Sequence, residues 1–212
     1  MNIVYVTDMG YLRPTQISVA SALAWASDRS RIALHIIDCG VEDGEWEIFV
    51  VKLRKRFGSK FEINRHIVDV EKYARFKSWH GSRGIYARVD IPSTLAHEAW
   101  CLYVDGDTLF TDDPLKLEEL YSDDFAITGQ RDCWDEGQKT WHLERGLPWD
   151  DNRFCAGFIL MNLKWFRENK IPEKCFELLM QYEFPYNEQD ALNLLCAGKI
   201  GFLPDRWGCF AY

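Results

Sequence analysis

Ala99-Trp100-Cys101-Leu102-Tyr103-Val104-Asp105-Gly106-Asp107 is an apolar run of strand length that ends in two carboxylates. Side chains alternate along an extended backbone, so Asp105 and Asp107 are expected on the same side. Gly106 removes a side chain where a ligand would approach closely. In an open α/β sheet, ligands bind outside the carboxyl ends of the strands. The pair therefore predicts a hard-oxygen site for a divalent cation, able to neutralise a diphosphate. Taken alone, Asp-x-Asp after a strand also reads as an ordinary turn, because Asp and Gly favour turns.

Outward from this segment the chain alternates strand and helix patterns. Ile3 to Val6 reads as a buried first strand ending at Thr7-Asp8. Residues 15–26 carry Ile17, Ala20, Leu23 and Ala24 at helical spacing. Ile32 to Ile37 is a second strand, Glu45 to Phe57 a helix stopped at Gly58, and Phe61 to Val68 a third strand. Residues 69–84 read as irregular, and Ile85 to Leu95 as a short amphipathic stretch broken by Pro92. Phe125 to Thr128 and Phe154 to Leu163 are expected strands. Ile171 to Gln181 and Glu188 to Ala197 are expected helices, and Ile200 to Leu203 is the last strand. Residues 129–152 read as one long polar loop containing Trp134, Trp141 and Trp149, and loops of that length are usually functional. The alternation predicts an α/β fold: one domain over residues 1–212, with a mostly parallel central sheet flanked by helices.

Composition narrows the function classes. With 25 Lys and Arg against 33 Asp and Glu, the formal net charge of −8 argues against nucleic acid, whose binding needs phosphate neutralisation. The densest basic cluster, Lys52-Leu53-Arg54-Lys55-Arg56, reads as a solvated helix face. Seven cysteines, none in a C-x-x-C pair, indicate neither a zinc site nor a disulfide framework and fit reduced thiols in a cytoplasmic protein. The N-terminus lacks the basic and apolar regions of a signal peptide, and no apolar run reaches membrane-spanning length.

Five segments, in order, resemble glycosyltransferase family 8, the retaining enzymes that use nucleotide sugars. Asn2-Ile3-Val4-Tyr5-Val6-Thr7-Asp8 resembles the family's first strand and nucleotide-binding turn. Tyr86-Ala87-Arg88-Val89 resembles its Tyr-x-Arg helix, and Leu102 to Leu109 its DXD segment. Phe154 to Leu163 resembles its Asn-Ala-Gly strand. Glu188-Gln189-Asp190-Ala191-Leu192-Asn193 resembles its Asp-Gln-Asp helix start. The resemblance implies a GT-A fold and a metal-dependent hexosyltransferase. The donor would be a UDP-sugar (glucose or galactose, with glucose taken first although no residue selects it), and the acceptor a glycan or other hydroxyl compound.

The resemblance also implies roles. Asp105 and Asp107 would hold Mn²⁺ or Mg²⁺. Thr7 and Asp8 belong to the nucleotide turn, with Asp8 hydrogen-bonding the uracil and Tyr11 stacking on it. Arg88 would contact the phosphates, Asp105 and Gly106 would approach the ribose or sugar, and Asp132 would bind sugar hydroxyls. Ala156 and Gly157 would let the backbone approach the sugar. Gln189 would sit beneath the anomeric carbon, and Asp190 would orient sugar or acceptor and is the carboxylate to test for a covalent route. Trp134, Trp141 and Trp149 are expected to stack on the acceptor or to cover the core.

Singly, these residues also have plainer readings. Asp8 can cap a turn, Tyr11 can be a surface ring, and Arg88 can be a helix-face charge. Glu188-Gln189 can be a first helical turn favoured by the dipole.

The sequence departs from the family in three places. Cys155 stands where the family has Asn, and Gly10 where an Asn often assists the nucleotide. The family's metal-binding His and Gly-x-x-Lys clamp find no match before Tyr212. The expectation is a water-completed metal shell, an open donor pocket and some donor hydrolysis. Two other readings stay open: a phosphatase of haloacid-dehalogenase type, for which Thr108 falls one position early, and a non-catalytic nucleotide-sugar-binding relative.

Overall fold

Alternation in Ile3-Val4-Tyr5 sends side chains to both faces of a sheet, and all three are fully buried. That pattern belongs to strands covered on both sides. The computed structural model describes residues 1–208. Its elements begin with β1 (Asn2–Thr7), α1 (Leu12–Trp25), β2 (Ala33–Asp38), α2 (Asp43–Phe57) and β3 (Glu62–Ile67). A 3-10 segment, Gly84–Asp90, leads through α3 (Ile91–Thr94) to β4 (Trp100–Val104). Then follow β5 (Ile127–Arg131), α4 (Glu136–Glu144), β6 (Phe154–Asn162), α5 (Leu163–Glu168), α6 (Ile171–Gln181), α7 (Asn187–Leu195) and β7 (Ile200–Phe202).

The seven strands form one sheet in the order β3-β2-β1-β4-β6-β5-β7. β1, β2, β3 and β4 run parallel, β6 runs antiparallel to both β4 and β5, and β7 is parallel to β5. The mostly parallel sheet expected from the sequence is therefore present, with β6 reversed. Ile3, Tyr5, Leu34, Ile36, Leu102 and Val104 pack on the face covered by α1 and α2. Val4, Ile37, Cys101, Tyr103, Ile159 and Met161 pack on the other face, with residues of the 3-10 segment, α6 and α7. From β1 the chain winds outward to β3 and then returns to β4. The strand order reverses between β1 and β4, which is where open α/β sheets form ligand crevices.

Several sequence expectations change. Residues 129–152 are not one loop: β5 continues to Arg131, and α4 occupies Glu136–Glu144. The polar sequence hides α4 because its buried residues are Gln138 and His142. β4 ends at Val104, and a turn closed by Thr108 N–H on the Asp105 carbonyl carries the acidic pair, so strand alternation does not set its geometry. The stretch broken by Pro92 is a 3-10 helix followed by α3, which tolerates Pro in its first turn. α5 was not foreseen. Among the described residues six cysteines are free, and no helix is long and apolar enough to cross a membrane.

Gly106 has a packing role. A Cβ there would overlap Thr15 Oγ1 of α1 and lie 3.1 Å from Tyr11 Cδ1. The close approach expected at this glycine is thus made by the chain's own helix. Gly106→Ala should lower stability by about 1–3 kcal/mol, the usual cost of overpacking. Urea denaturation checks this, and an unchanged midpoint would contradict it.

Candidate functional site

The ends of β1 and β4 open into a cleft of about 860 Å³ lined by Thr7, Asp8, Tyr11, Arg88, Asp105 and Asp107, among others. A second cavity of about 520 Å³, lined by Cys155, Gly157 and Trp207, meets the first at Asp105 and Asp107. The acidic pair is the wall between them.

Each carboxylate is half engaged. Asp105 Oδ1 accepts from the Tyr103 hydroxyl at 2.6 Å and from Arg88 Nη2 at 3.3 Å. Among the described residues its Oδ2 has no hydrogen bond, and it faces Gly157, where a Cβ would come within 2.9 Å. Asp107 Oδ2 accepts from the Tyr11 hydroxyl at 2.6 Å, which leaves Oδ1 open. Two carboxylates with one unengaged oxygen each fit a hard divalent cation. Such ions bind through one or two carboxylates plus substrate phosphates and water. Among the described residues no group of three or more His, Cys, Asp or Glu could hold a metal.

Arg88, on the 3-10 segment, is buried behind the pair. Its guanidinium donates to the Ala156 carbonyl at 2.9 Å and pairs with Asp105 and with Glu188 Oε1 at 3.1 Å. Its fork thus holds protein groups together, rather than standing free for a phosphate. Glu188 is also buried, and among the described residues its Oε2 has no hydrogen-bond partner. Burial pushes its carboxyl up to about 7, against the opposing pull of Arg88. Nothing in the sequence separates Glu188 from an ordinary acidic first turn. Its burial against Arg88 is a tertiary fact.

Gln189 Oε1 accepts from the Ala156 amide at 2.8 Å, and its amide donates to Asp132 at 3.2 Å. Burial raises the Asp132 pKa. Asp190 lies deeper and is fully buried. Its Oδ1 takes the Arg153 guanidinium and the Gln138 amide, and its Oδ2 takes the Tyr186 amide at 2.9 Å. Both oxygens are committed to the protein.

Asp8 Oδ1 accepts from the Tyr11 amide at 2.9 Å and Oδ2 from the Ser82 hydroxyl at 2.8 Å. Ser82 closes a tight turn with Trp79, in which His80 and Gly81 have φ of 47° and 83°. Paired positive φ values mark a hairpin turn. The His-Gly dipeptide was its readable signal in a segment taken as irregular. Trp141 packs on Phe184 and the core. Trp149 lies under the Arg153 guanidinium and edge-on to Trp134.

With this geometry described, comparison with known proteins decides the family. The glycosyl transferase family 8 profile matches residues 2–212. The chain belongs to that family. A solved structure of the galactosyltransferase LgtC, with donor and acceptor sugar analogs, superposes with a TM-score of 0.84 at 26% identity, covering 97% of this chain and 74% of that one. This supports the GT-A fold and displaces the phosphatase reading. The lipopolysaccharide 1,3-galactosyltransferase of Salmonella typhimurium is 24% identical over 97% of this chain and 62% of its own length. Glycosyltransferase GlyB of Streptococcus pneumoniae is 27% identical over 77% of this chain and 36% of its own. The chain thus spans less than two thirds of the length of these curated relatives.

Glu188 gives a pH signature. Its folded pKa of about 7 lies above the usual 4.5. The folded state therefore holds this proton more tightly than the unfolded state. The resulting stability is fully present below pH 4.5 and is lost as pH rises through about 7. Relative to wild type, Glu188→Gln should gain roughly 2 to 3 kcal/mol between pH 5 and pH 8. Denaturant titrations at both pH values read the difference, and a constant gap between the two proteins would refute the assignment.

Proposed function

We propose that this chain is the GT-A domain of a retaining hexosyltransferase that moves glucose or galactose from a UDP-sugar to a hydroxyl acceptor. One observation carries the reading. Two aspartates, each with an unengaged oxygen, stand at the β1/β4 switch point, in the wall of a cleft that also holds Asp8 and Tyr11. The galactosyltransferases among its relatives support the hexose class.

Asp105 and Asp107 would hold Mn²⁺ or Mg²⁺, which supplies positive charge to a departing diphosphate. Asp8 would accept a hydrogen bond from the uracil once Ser82 yields its oxygen. Tyr11 would stack on the base after turning away from Asp107, which frees that carboxylate as well. Arg88 fixes the orientation of Asp105 and adds positive charge behind it. Asp132, Ala156, Gly157 and Gln189 would line the sugar's side of the cleft. A solved LgtC structure at 27% identity carries an active-site glutamine-to-glutamate mutation, which supports placing a glutamine at the reaction centre.

The geometry favours front-face transfer over a covalent route. Gln189 offers an uncharged oxygen already bound to the Ala156 amide. Asp190 has neither an exposed nor a free oxygen, so it reads as a positioning residue. In front-face transfer the leaving phosphate takes the acceptor's hydroxyl proton as the new glycosidic bond forms. Trp134 and Trp149 remain the acceptor-stacking candidates, whereas Trp141 covers the core.

UDP release from a panel of UDP-sugars with Mn²⁺ tests the reading. Turnover should need the metal, and Asp105→Asn with Asp107→Asn should lower it by about a thousandfold or more, the scale of lost electrostatic stabilisation. Undiminished release in chelator, or in the double variant, would end the proposal.

A further inference from the structure

The basic cluster read from the sequence as a solvated helix face acquires a neighbour in the fold. α1 and α2 both follow parallel strands, so their C-terminal ends lie side by side. Between them runs a groove of about 440 Å³ lined by Ile17, Ala24 and Trp25 of α1 and by Lys52, Arg56 and Phe57 of α2. Two of its apolar residues are open to solvent: Trp25 is 51% exposed and Ile17 is 54% exposed, over a floor of buried Phe49 and Leu53. The outer face of α2 continues the pattern. Ile48 and Val51, at 45% and 63% exposure, alternate with Lys52 and Lys55 along one helical stripe. Among the described residues, Lys52, Lys55 and Arg56 enter no ion pair. Glu45 and Glu47 lie in the first turns of α2, at its other end.

We propose that this face docks onto the surface of an anionic lipid bilayer. Solvent-open aliphatic and indole side chains interleaved with unpaired cations are what an interfacial helix presents to headgroups. Tryptophan suits that boundary because its ring is apolar and its N–H polar. Charge singles out the partner. The chain carries net charge −8, yet these cations stand uncompensated on one face. A second copy of the same face would set the cluster against itself. Docking through the C-terminal ends of α1 and α2 leaves the catalytic cleft, at the opposite ends of the parallel strands, uncovered. The inference does not depend on the donor or on the metal.

Vesicle co-sedimentation of the 212-residue chain tests the surface. Vesicles of phosphatidylcholine alone are compared with vesicles containing one quarter phosphatidylglycerol, at low and at physiological salt. The expected result is binding to the anionic vesicles at least ~10-fold tighter than to neutral ones, weakening as salt screens it. Lys52→Gln with Lys55→Gln should lose about 25-fold, roughly fivefold for each cation removed. Trp25→Ser should weaken binding without changing the melting temperature or the salt dependence. Absence of binding to both vesicle types, or equal binding to both, overturns the proposal. So does full binding by the double lysine variant. A concentration-dependent dimer in sedimentation equilibrium that Trp25→Ser dissolves would assign the face to self-association instead and equally overturn it.

Discussion

The buried guanidinium of Arg88 is the constraint on which the cleft end of the molecule depends. Removing a cation and its carboxylates from water costs several kcal/mol per ion, and only close partners offset it. Arg88 has four among the described residues: Asp105 after β4, Glu188 on α7, the Ala156 carbonyl on β6 and the Ile85 carbonyl of its own segment. One side chain thereby ties the 3-10 segment, the acidic turn, the reversed strand and a helix start into a single unit. The clamp also aims Asp105. With Oδ1 held by Tyr103 and Arg88, Oδ2 is turned toward Gly157, where only a glycine leaves it room. The oxygen left unengaged, the one that would face a cation under the proposed function, is thus chosen by Tyr103 and Arg88.

A second buried pair does comparable work one layer away. Arg153 and Asp190 meet below the cleft, and Gln138 joins them from α4. This explains how so polar a segment as 132–153 takes a fixed shape without much apolar burial. It also sets the reach of two nearby groups. The Asp132 amide bonds the Arg153 carbonyl, and the Asp132 carboxylate accepts from Gln189. The pair therefore places the side chains that flank the proposed reaction centre.

What the sequence disclosed follows from which forces were local. β1, β2, β4 and β6 were legible because strands buried on both faces are apolar runs, and Gly58 marked the end of α2. Asp105 and Asp107 stood out less by themselves, since such a pair also reads as a turn, than through the flanking apolar strand and the other segments of the same pattern. α4 was not, because its inward residues are a glutamine and a histidine, invisible to an apolar-periodicity test. Glu188 and Arg153 were missed for a related reason. Charged residues are expected outside, and their burial is set by a partner distant in the chain. Gly106 was noticed for its freedom toward a ligand, yet Thr15, 91 positions earlier, is what requires it.

Two of the cleft's three aspartates share one device. Asp107 is capped by the Tyr11 hydroxyl and Asp8 by the Ser82 hydroxyl. Neutral donors of this kind satisfy a carboxylate without neutralising it, so its charge remains for a stronger partner. Under the proposed function, a cation at Asp107 or a base N–H at Asp8 would replace a single hydrogen bond. Tyr11 would then become a free ring beside the bound base. The Tyr11–Asp107 cap joins segments that meet because β1 and β4 are neighbours where the strand order reverses, and the Ser82–Asp8 cap joins the end of β1 to the turn before the 3-10 segment. The topology therefore supplies the acid pair and also the hydroxyls that hold it ready.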